Sequence, residues 1–493
     1  SLCYYRLNFY NQNGIYNLDV MKRYTLNTLI KHTLKNSHHF FYGLFSFLFL
    51  IYLSSCNKKI EEKVDEISSQ RNSVATSTAV RPNVILIIAN DFGYDLPGFN
   101  GGQSHSTPEL DYLAANGMFF KQAYNHPDGS PSRVALLTGK YNFRNYVVWG
   151  VLPEGEQTIG NLFQNAGYKC CWVGKWQMSG AGERIKNAGF NDYLVFLPKG
   201  HGQREHRYKD PRLYQNGKYL PETATEGKYS EDLCFDYLSN FIEVNKGTNF
   251  FGVWATLLPA SPWVPVPDDP AFANWDADLD QKMDDKKYYP GMVTYLDKIV
   301  GKIRMKLEEE GIADNTIIMF CSATQTDGRL TNVWRGQTVA GGKTLTVKRG
   351  TNGPLLAYWP ARIAPSSASS TLIDLTDVVP TMADIARVPT PTTWGILDGK
   401  SFYDNMLGTS GNDRDWVFCH WDNNPFDGNT VPPERFINDT TYKLYDTVGN
   451  GNGRFYNISI DPEELNPLPQ NTLTQAQKKR KKQFRNILDT MHR

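Results

Sequence analysis

RPNVILIIANDFGY, residues 81–94, is the stretch whose reading decides the fold of this chain. Residues 84–89 are apolar without interruption. A strand with one wet face alternates, so an unbroken run reads as a central strand buried on both faces of a sheet. It stops at Asn90-Asp91-Phe92-Gly93, a loop at the strand's carboxyl end.

The pattern repeats along the chain. Thr107-Pro108 opens a helix with Pro in its first turn, Leu110, Leu113 and Ala114 form its apolar side, and Gly117 stops it. A strand over 118–124 follows. HPDGSPSRVALLTGK, residues 126–140, reads as a tight turn and a short helix, beginning near Pro131 and stopped by Gly139. A helix over 158–166 closes at Gly167 and leads into the strand YKCCWV at 168–173. Residues 250–257 form another apolar run. Met292, Tyr295, Leu296, Ile299, Ile303 and Leu307 have helical spacing, with Gly311 as the stop. Strands over 315–321 and 355–359 and a helix near 375–386 complete the series. Strands alternating with helices predict an α/β fold with a large, mostly parallel sheet flanked by helices. After about residue 410 short strand-like pieces at 416–421, 436–445 and 454–458, separated by turns such as VGNGNG, predict a small antiparallel sheet with a terminal helix over 473–491.

Composition agrees with that reading. The 493 residues are enough for a large domain and a smaller one, and 40% hydrophobic with 21% charged suits a soluble protein with a sizeable core. Aromatics at 13% fit a well-packed core or a carbohydrate-facing surface. A net charge of +1 supplies no global field to recruit nucleic acid or a membrane. The run KKRKK at 478–482 reads as a solvated helix face. The seven Cys, at 3, 56, 170, 171, 234, 321 and 419, are odd in number and lack CxxC spacing, so neither a zinc site nor a disulfide framework is indicated. Cys170, Cys171 and Cys321 read as small core residues.

The amino-terminal part reads as a targeting segment. Lys22, Arg23, Lys31 and Lys35 form a basic region, and FFYGLFSFLFLIYL at 40–53 is short for a membrane span and right for a signal. It ends in LSSC, which resembles the lipobox of bacterial lipoproteins, with Cys56 as the lipidated residue; an anchor without lipid is the alternative. Residues 1–20 precede Met21 and are read as lying upstream of the true start. The expected organisation is an extension and lipoprotein-type signal over 1–56, a flexible tether over 57–80, an α/β domain over 81–410 and an α+β subdomain over 411–493. Exported and anchored at Cys56, the protein would be a periplasmic or outer-membrane bacterial lipoprotein.

The order of segments resembles the sulfatase family of the alkaline-phosphatase superfamily over roughly 81–470. RPNVILIIANDFGY resembles its opening strand and metal loop, SPSRVALLTGK (130–140) its signature, and YKCCWVGKWQMSG (168–180) its GKWH segment. LPASPWVP (258–265) resembles its P-H-x-P segment, and NTIIMFCSATQTDG (315–328) its second metal loop. The resemblance implies an alkaline-phosphatase-like fold and sulfuric ester hydrolysis by a formylglycine made from a Cys or Ser. It also implies a Ca²⁺ held by two Asp and by an Asp-Asn pair, an Arg after the nucleophile, two sulfate-gripping Lys and two His.

Against that set the chain is depleted. Gly129 stands at the nucleophile position and has no side-chain atom to oxidise, so no formylglycine is expected. Ser130 is one residue late, roughly a quarter turn round a helix. It reads as a helix cap, with a substitute nucleophile as the alternative. Asp128 reads as a turn carboxylate. Asn90 and Asp91 stand where two Asp are implied, and Ala323 and Thr324 where Asp and Asn are implied. Ca²⁺ takes six to eight oxygens, so binding is expected to be weak or absent. Gln177 and Ala260 replace the two His. Arg133, Lys175 and Lys343 remain, and the pocket is expected to be net positive; fold remnants held by neighbouring acids are the alternative. His201 and His206 (in KGHGQREH) and His420 read as surface or packing residues, with the cleft as the alternative. Two functions lead. One is a non-catalytic pseudo-sulfatase holding a sulfated polysaccharide, a small sulfate ester or another anion. The other is an active hydrolase with an unusual nucleophile or metal arrangement. A purely structural lipoprotein is the third. No nucleic acid partner is expected, and membrane contact only through the lipid.

Overall fold

A computed structural model of the chain describes residues 7–11, 14–18, 81–146, 150–196, 206–279, 284–422 and 432–491. The signal at 40–53, Cys56, the tether at 57–80 and His201 lie outside the described residues. Two compact units, Ser1–Val80 and Arg81–Arg493, make up the chain. In the first, β1 (Leu7–Asn11) and β2 (Gly14–Leu18) pair antiparallel, Leu7 opposite Leu18. Among the described residues, no helix is long and apolar enough to cross a membrane.

The second unit is built on a ten-stranded sheet. Its strands in chain order are β3 (Asn83–Ala89), β4 (Met118–Tyr124), β5 (Lys169–Lys175), β6 (Asp192–Phe196), β7 (Tyr214–Gln215), β8 (Lys218–Tyr219), β9 (Phe250–Ala255) and β10 (Thr316–Ser322). A separate hairpin, β11 (Thr331–Trp334) with β12 (Gln337–Ala340), precedes β13 (Asn352–Tyr358) and β14 (Ser367–Asp374). The spatial order is β14-β4-β13-β10-β3-β9-β5-β6-β7-β8. β3 lies in the middle, parallel to β10 on one side and β9 on the other.

Every residue of β3 is buried, as its unbroken apolar run predicts. Side chains alternate across a strand, so Val84, Leu86 and Ile88 enter one core and Ile85, Ile87 and Ala89 the other. The first core is roofed by the helices Gly129–Thr138, Ile159–Asn165, Ala181–Asn187 and Val378–Ala386. The second is roofed by Pro108–Ala115, Ser230–Asn245 and Tyr289–Glu309. The result is a three-layer α/β/α arrangement. A four-stranded antiparallel sheet of β15 (Val417–Trp421), β16 (Glu434–Asn438), β17 (Tyr442–Tyr445) and β18 (Phe455–Asn457) follows, with the helix Gln475–Leu488 against it.

Three local readings are corrected. The helix after HPD begins at Gly129, not near Pro131, because Asp128 is its cap and accepts a hydrogen bond from Ser130 N at 3.2 Å. Ser130 is therefore not the cap. β13 runs antiparallel to both its neighbours, since the chain enters it from a loop at the carboxyl edge of β10 rather than through a crossover helix. Residues 436–445 are two strands, turned by Asp439, whose carboxylate accepts from Thr441 N and Tyr442 N.

Candidate functional site

The loops at the carboxyl edge of β3, β5, β9 and β10, with the turn after β4 and the loop into β13, enclose a cavity of about 290 Å³. A sheet with parallel central strands places its ligand sites at that edge. Three hydrogen bonds staple the loops together: Ala323 N to Ala89 O at 2.9 Å, Phe92 N to Thr324 O at 3.1 Å and Asn90 N to Leu258 O at 3.1 Å. Asp91 (φ 59°) and Gln177 (φ 48°) are held in the left-handed region, unusual for residues with a Cβ and common at functional sites.

The fold brings together most of the residues singled out in the sequence. Asn90, Asp91, Gly129, Lys175, Gln177, Ala260, Thr324 and Lys343 all face the cavity. Ala323 does not; it is buried behind, joined to β3 by its backbone. Arg133 is buried beneath Gly129. A Cβ built at Gly129 would lie 3.1 Å from Arg133 Nη1 and 3.2 Å from Asn90 Oδ1, so a side chain there would enter the cluster. Asp128 and Ser130 also face the cavity. Of the histidines, His206 bonds Asp278 at 2.9 Å and His420 packs on the Phe143 ring, and neither lines the cavity. Four lining residues had not been singled out: Arg207, Ser261, Asp327 and Arg329. Asp327 lies at the end of the second loop and Arg329 immediately follows it; Arg207 follows a merely polar segment, and no spacing marked it.

Electrostatics organise the site around few acids. Lys343 Nζ donates to Asp91 Oδ2 at 2.6 Å, while Asp91 Oδ1 is buried without a partner. Burial would lower the Lys343 ammonium, but Asp91 and Asp128 outweigh it and hold its pKa above the ordinary lysine value. Arg329 pairs with Asp327 at 2.9 Å and with Asp284. Lys175 has no such partner among the described residues. Burial, and then the charge of Arg133, push its pKa well below the ordinary value. Arg133 is itself lowered by burial to about 10, and its Nε and Nη2 have no hydrogen-bond partner. Lys343 is thus held by an acid, whereas Lys175 and Arg133 have no ion-pair partner among the described residues.

The residues do not fit a Ca²⁺ ion. Thr324 Oγ1 donates to Pro127 O at 3.1 Å, Ala323 has no side-chain oxygen, and Asp91 already carries an ammonium. The implied ligand positions thus supply one paired carboxylate and one amide, far short of six to eight oxygen ligands. Among the described residues, no group of three His, Cys, Asp or Glu is placed to hold a metal.

The Sulfatase family model matches residues 82–388, and the model described as N-sulphoglucosamine sulphohydrolase, C-terminal, matches residues 342–490. Arylsulfatase G of Rattus norvegicus is 25% identical over 381 residues, covering 67% of this chain and 70% of that protein. N-acetylgalactosamine-6-sulfatase of Canis lupus familiaris is 28% identical over 369 residues, covering 68% of this chain and 67% of that protein. Among solved structures, the crystal structure of Ps i-CgsB matches with a TM-score of 0.68 at 25% identity, over 83% of this chain and 92% of that one. BT4656, solved in complex with its substrate D-glucosamine-2-N,6-O-disulfate, matches with a TM-score of 0.67 at 21% identity, over 83% of this chain and 97% of that one. The likeness covers both the large sheet and the four-stranded sheet, and the fold is the alkaline-phosphatase-like one.

Proposed function

This chain belongs to the sulfatase family, and from that premise we propose that it binds a sulfated glycan and does not hydrolyse it, holding the sulfate, or another anion of like shape, in the cavity beside Gly129. One observation carries this reading: the place where the reacting atom would stand faces Arg133 and Asn90 and has no side chain. The cations around it persist. Lys175 and Arg133 are short of counter-charge, and the helix beginning at Gly129 turns its positive end to the same space. An anion there supplies the charge that burial withholds. Gln177 and Ala260 cannot move a proton at neutral pH, so help to a leaving group is missing as well. That related proteins carry names of glycan sulfatases supports the ligand class.

The test uses the full chain: calcium content, sulfate release from 4-nitrophenyl sulfate and from sulfated polysaccharides, and calorimetric binding of a sulfated monosaccharide. Binding without release, weakened by Lys343→Ala, is expected. Release of sulfate that Arg133→Ala abolishes would overturn the reading. The second reading, an active hydrolase, is favoured by Ser130, which lines the cavity directly after Gly129. It requires turnover that Ser130→Ala removes.

We also propose export and lipid anchoring at Cys56, supported by the apolar run ending in LSSC. Full retention of Cys56→Ala in the membrane fraction would refute it.

A further inference from the structure

A second cavity, of about 590 Å³, lies between the β11–β12 hairpin and the turn at 458–463 that follows β18. One segment serves both cavities: Lys343 reaches into the first, and Lys348 and Arg349 line the second. Its described walls carry Lys121, Arg335, Lys348 and Arg349 against a single carboxylate, Glu463. That carboxylate is already taken, because Arg349 Nε donates to it at 2.6 Å. Lys121, Arg335 and Lys348 have no ion-pair partner among the described residues. Lys348 and Arg335 feel each other instead: burial and then the charge of Arg335 lower the Lys348 pKa. Two like charges sharing a partly desolvated space are unfavourable until an anion joins them.

Arg335 is placed rather than loose. It occupies the hairpin turn with Gly336, both at positive φ (48° and 77°), a conformation that favours Asn or Gly and strains an arginine. Its backbone N donates to Gly101 O at 2.9 Å, and its guanidinium lies 4.6 Å from the Trp334 ring centroid. Trp334 is fixed in turn by Nε1 donating to Asn100 O at 2.9 Å and by an edge contact with Tyr94. Gln122 and Gln337 line the same space and offer partners for hydroxyl groups.

We propose that this groove is a second saccharide-binding site, which takes an anionic polysaccharide by a sulfate or carboxylate group lodged between Lys348 and Arg335. The class of ligand rests on the glycan reading above; the site itself does not. The full chain would be titrated with dextran sulfate, which offers sulfate alone, with alginate, which offers carboxylate alone, and with oligothymidine. The double variant Arg335→Gln/Lys348→Gln should bind one or both polysaccharides about tenfold more weakly, and the polysaccharide affected identifies the group recognised. Lys343→Gln should weaken only the small sulfated ligand of the first cavity, so failure of the first reading leaves the groove result standing. The single variants Arg335→Gln and Lys348→Gln, with matched melting temperatures, guard against misfolding. Unchanged polysaccharide binding by the double variant would overturn the proposal. An equal loss in Lys479→Gln/Lys482→Gln on the terminal helix, or an equal loss of oligothymidine binding, would show mere polyelectrolyte attraction and also overturn it.

Discussion

A Cβ at Gly129 would meet Arg133 Nη1 and Asn90 Oδ1 at just over 3 Å, both of them ends of side chains rather than backbone. Crowding is therefore mild, and a helical position favours Ala over Gly by up to about 1 kcal/mol. Gly129→Ala should change stability by no more than about 1 kcal/mol, read from urea unfolding. Gly129→Cys should fold yet release no sulfate from aryl sulfates, even where mass spectrometry shows its oxidation to formylglycine. Gln177, Ala260, Ala323 and Thr324 would still leave proton transfer and charge neutralisation unprovided. Lys175 gives a second prediction at this scale. Its folded pKa is depressed by burial and by Arg133. An anion favours the ammonium form, so binding should take up a proton and tighten as pH falls below the ordinary lysine value. Calorimetry in buffers of different ionisation enthalpy measures that uptake, and Lys175→Met should abolish it.

Among the elements, the loop after β9 is held by a carboxylate from a helix. Glu231 is fully buried, accepts from Trp254 Nε1 at 2.8 Å and Leu257 N at 2.6 Å, and so fixes the segment that carries Ala260. Burial raises its pKa from the ordinary value to about 7 against those hydrogen bonds. The folded state then binds a proton more tightly than the unfolded state between about pH 4.5 and 7, and stability falls as pH rises through that window, by about 3 kcal/mol from this group. His126, lowered to about 3 by burial, works in the opposite sense between about pH 6.5 and 3, which overlaps that window. The comparison that isolates Glu231 is therefore the difference between parent and Glu231→Gln in urea unfolding at pH 5 and pH 8, which should shrink towards the higher pH. Elements of this kind were unevenly legible. β3 and the Tyr289–Glu309 helix were plain in the sequence because burial on two faces and a 3.6-residue stripe leave distinct apolar patterns. The β11–β12 hairpin was not, because its strands are short, mostly exposed and turned by Arg335-Gly336, which carries only half of the usual turn signal. The site followed the same division. Positions joined to a recognisable strand end, such as Asp91 and Lys175, could be placed, whereas Arg207 and the Lys343–Asp91 pair depend on how distant segments meet.

At the scale of the molecule, the four-stranded sheet is not a separable domain, although the change of pattern near residue 410 suggests a boundary there. Its core takes Tyr141 and Phe143 from the first part of the unit and sets them against Phe418, Ile437 and Phe484. The Tyr141 and Phe418 rings are 5.0 Å apart. Arg414, almost completely buried, closes the junction: its Nε donates to Asp377 Oδ2 at 2.8 Å and its Nη1 to the Tyr141 hydroxyl at 3.1 Å. Asp377 also caps the backbone on its own side, accepting from Asp374 N at 2.8 Å. Removing one partner of a buried pair leaves the other charge without compensation, at about 3–5 kcal/mol. Arg414→Ala should therefore lower the unfolding free energy by that amount, and the transition should remain single because both parts share one core. A chain ending at residue 410 loses the ion pair and the aromatic core together, and should be recovered aggregated rather than as a folded α/β domain. Two resolved calorimetric transitions in the parent, or a soluble, cooperatively melting chain ending at 410, would show instead that the two sheets are independent.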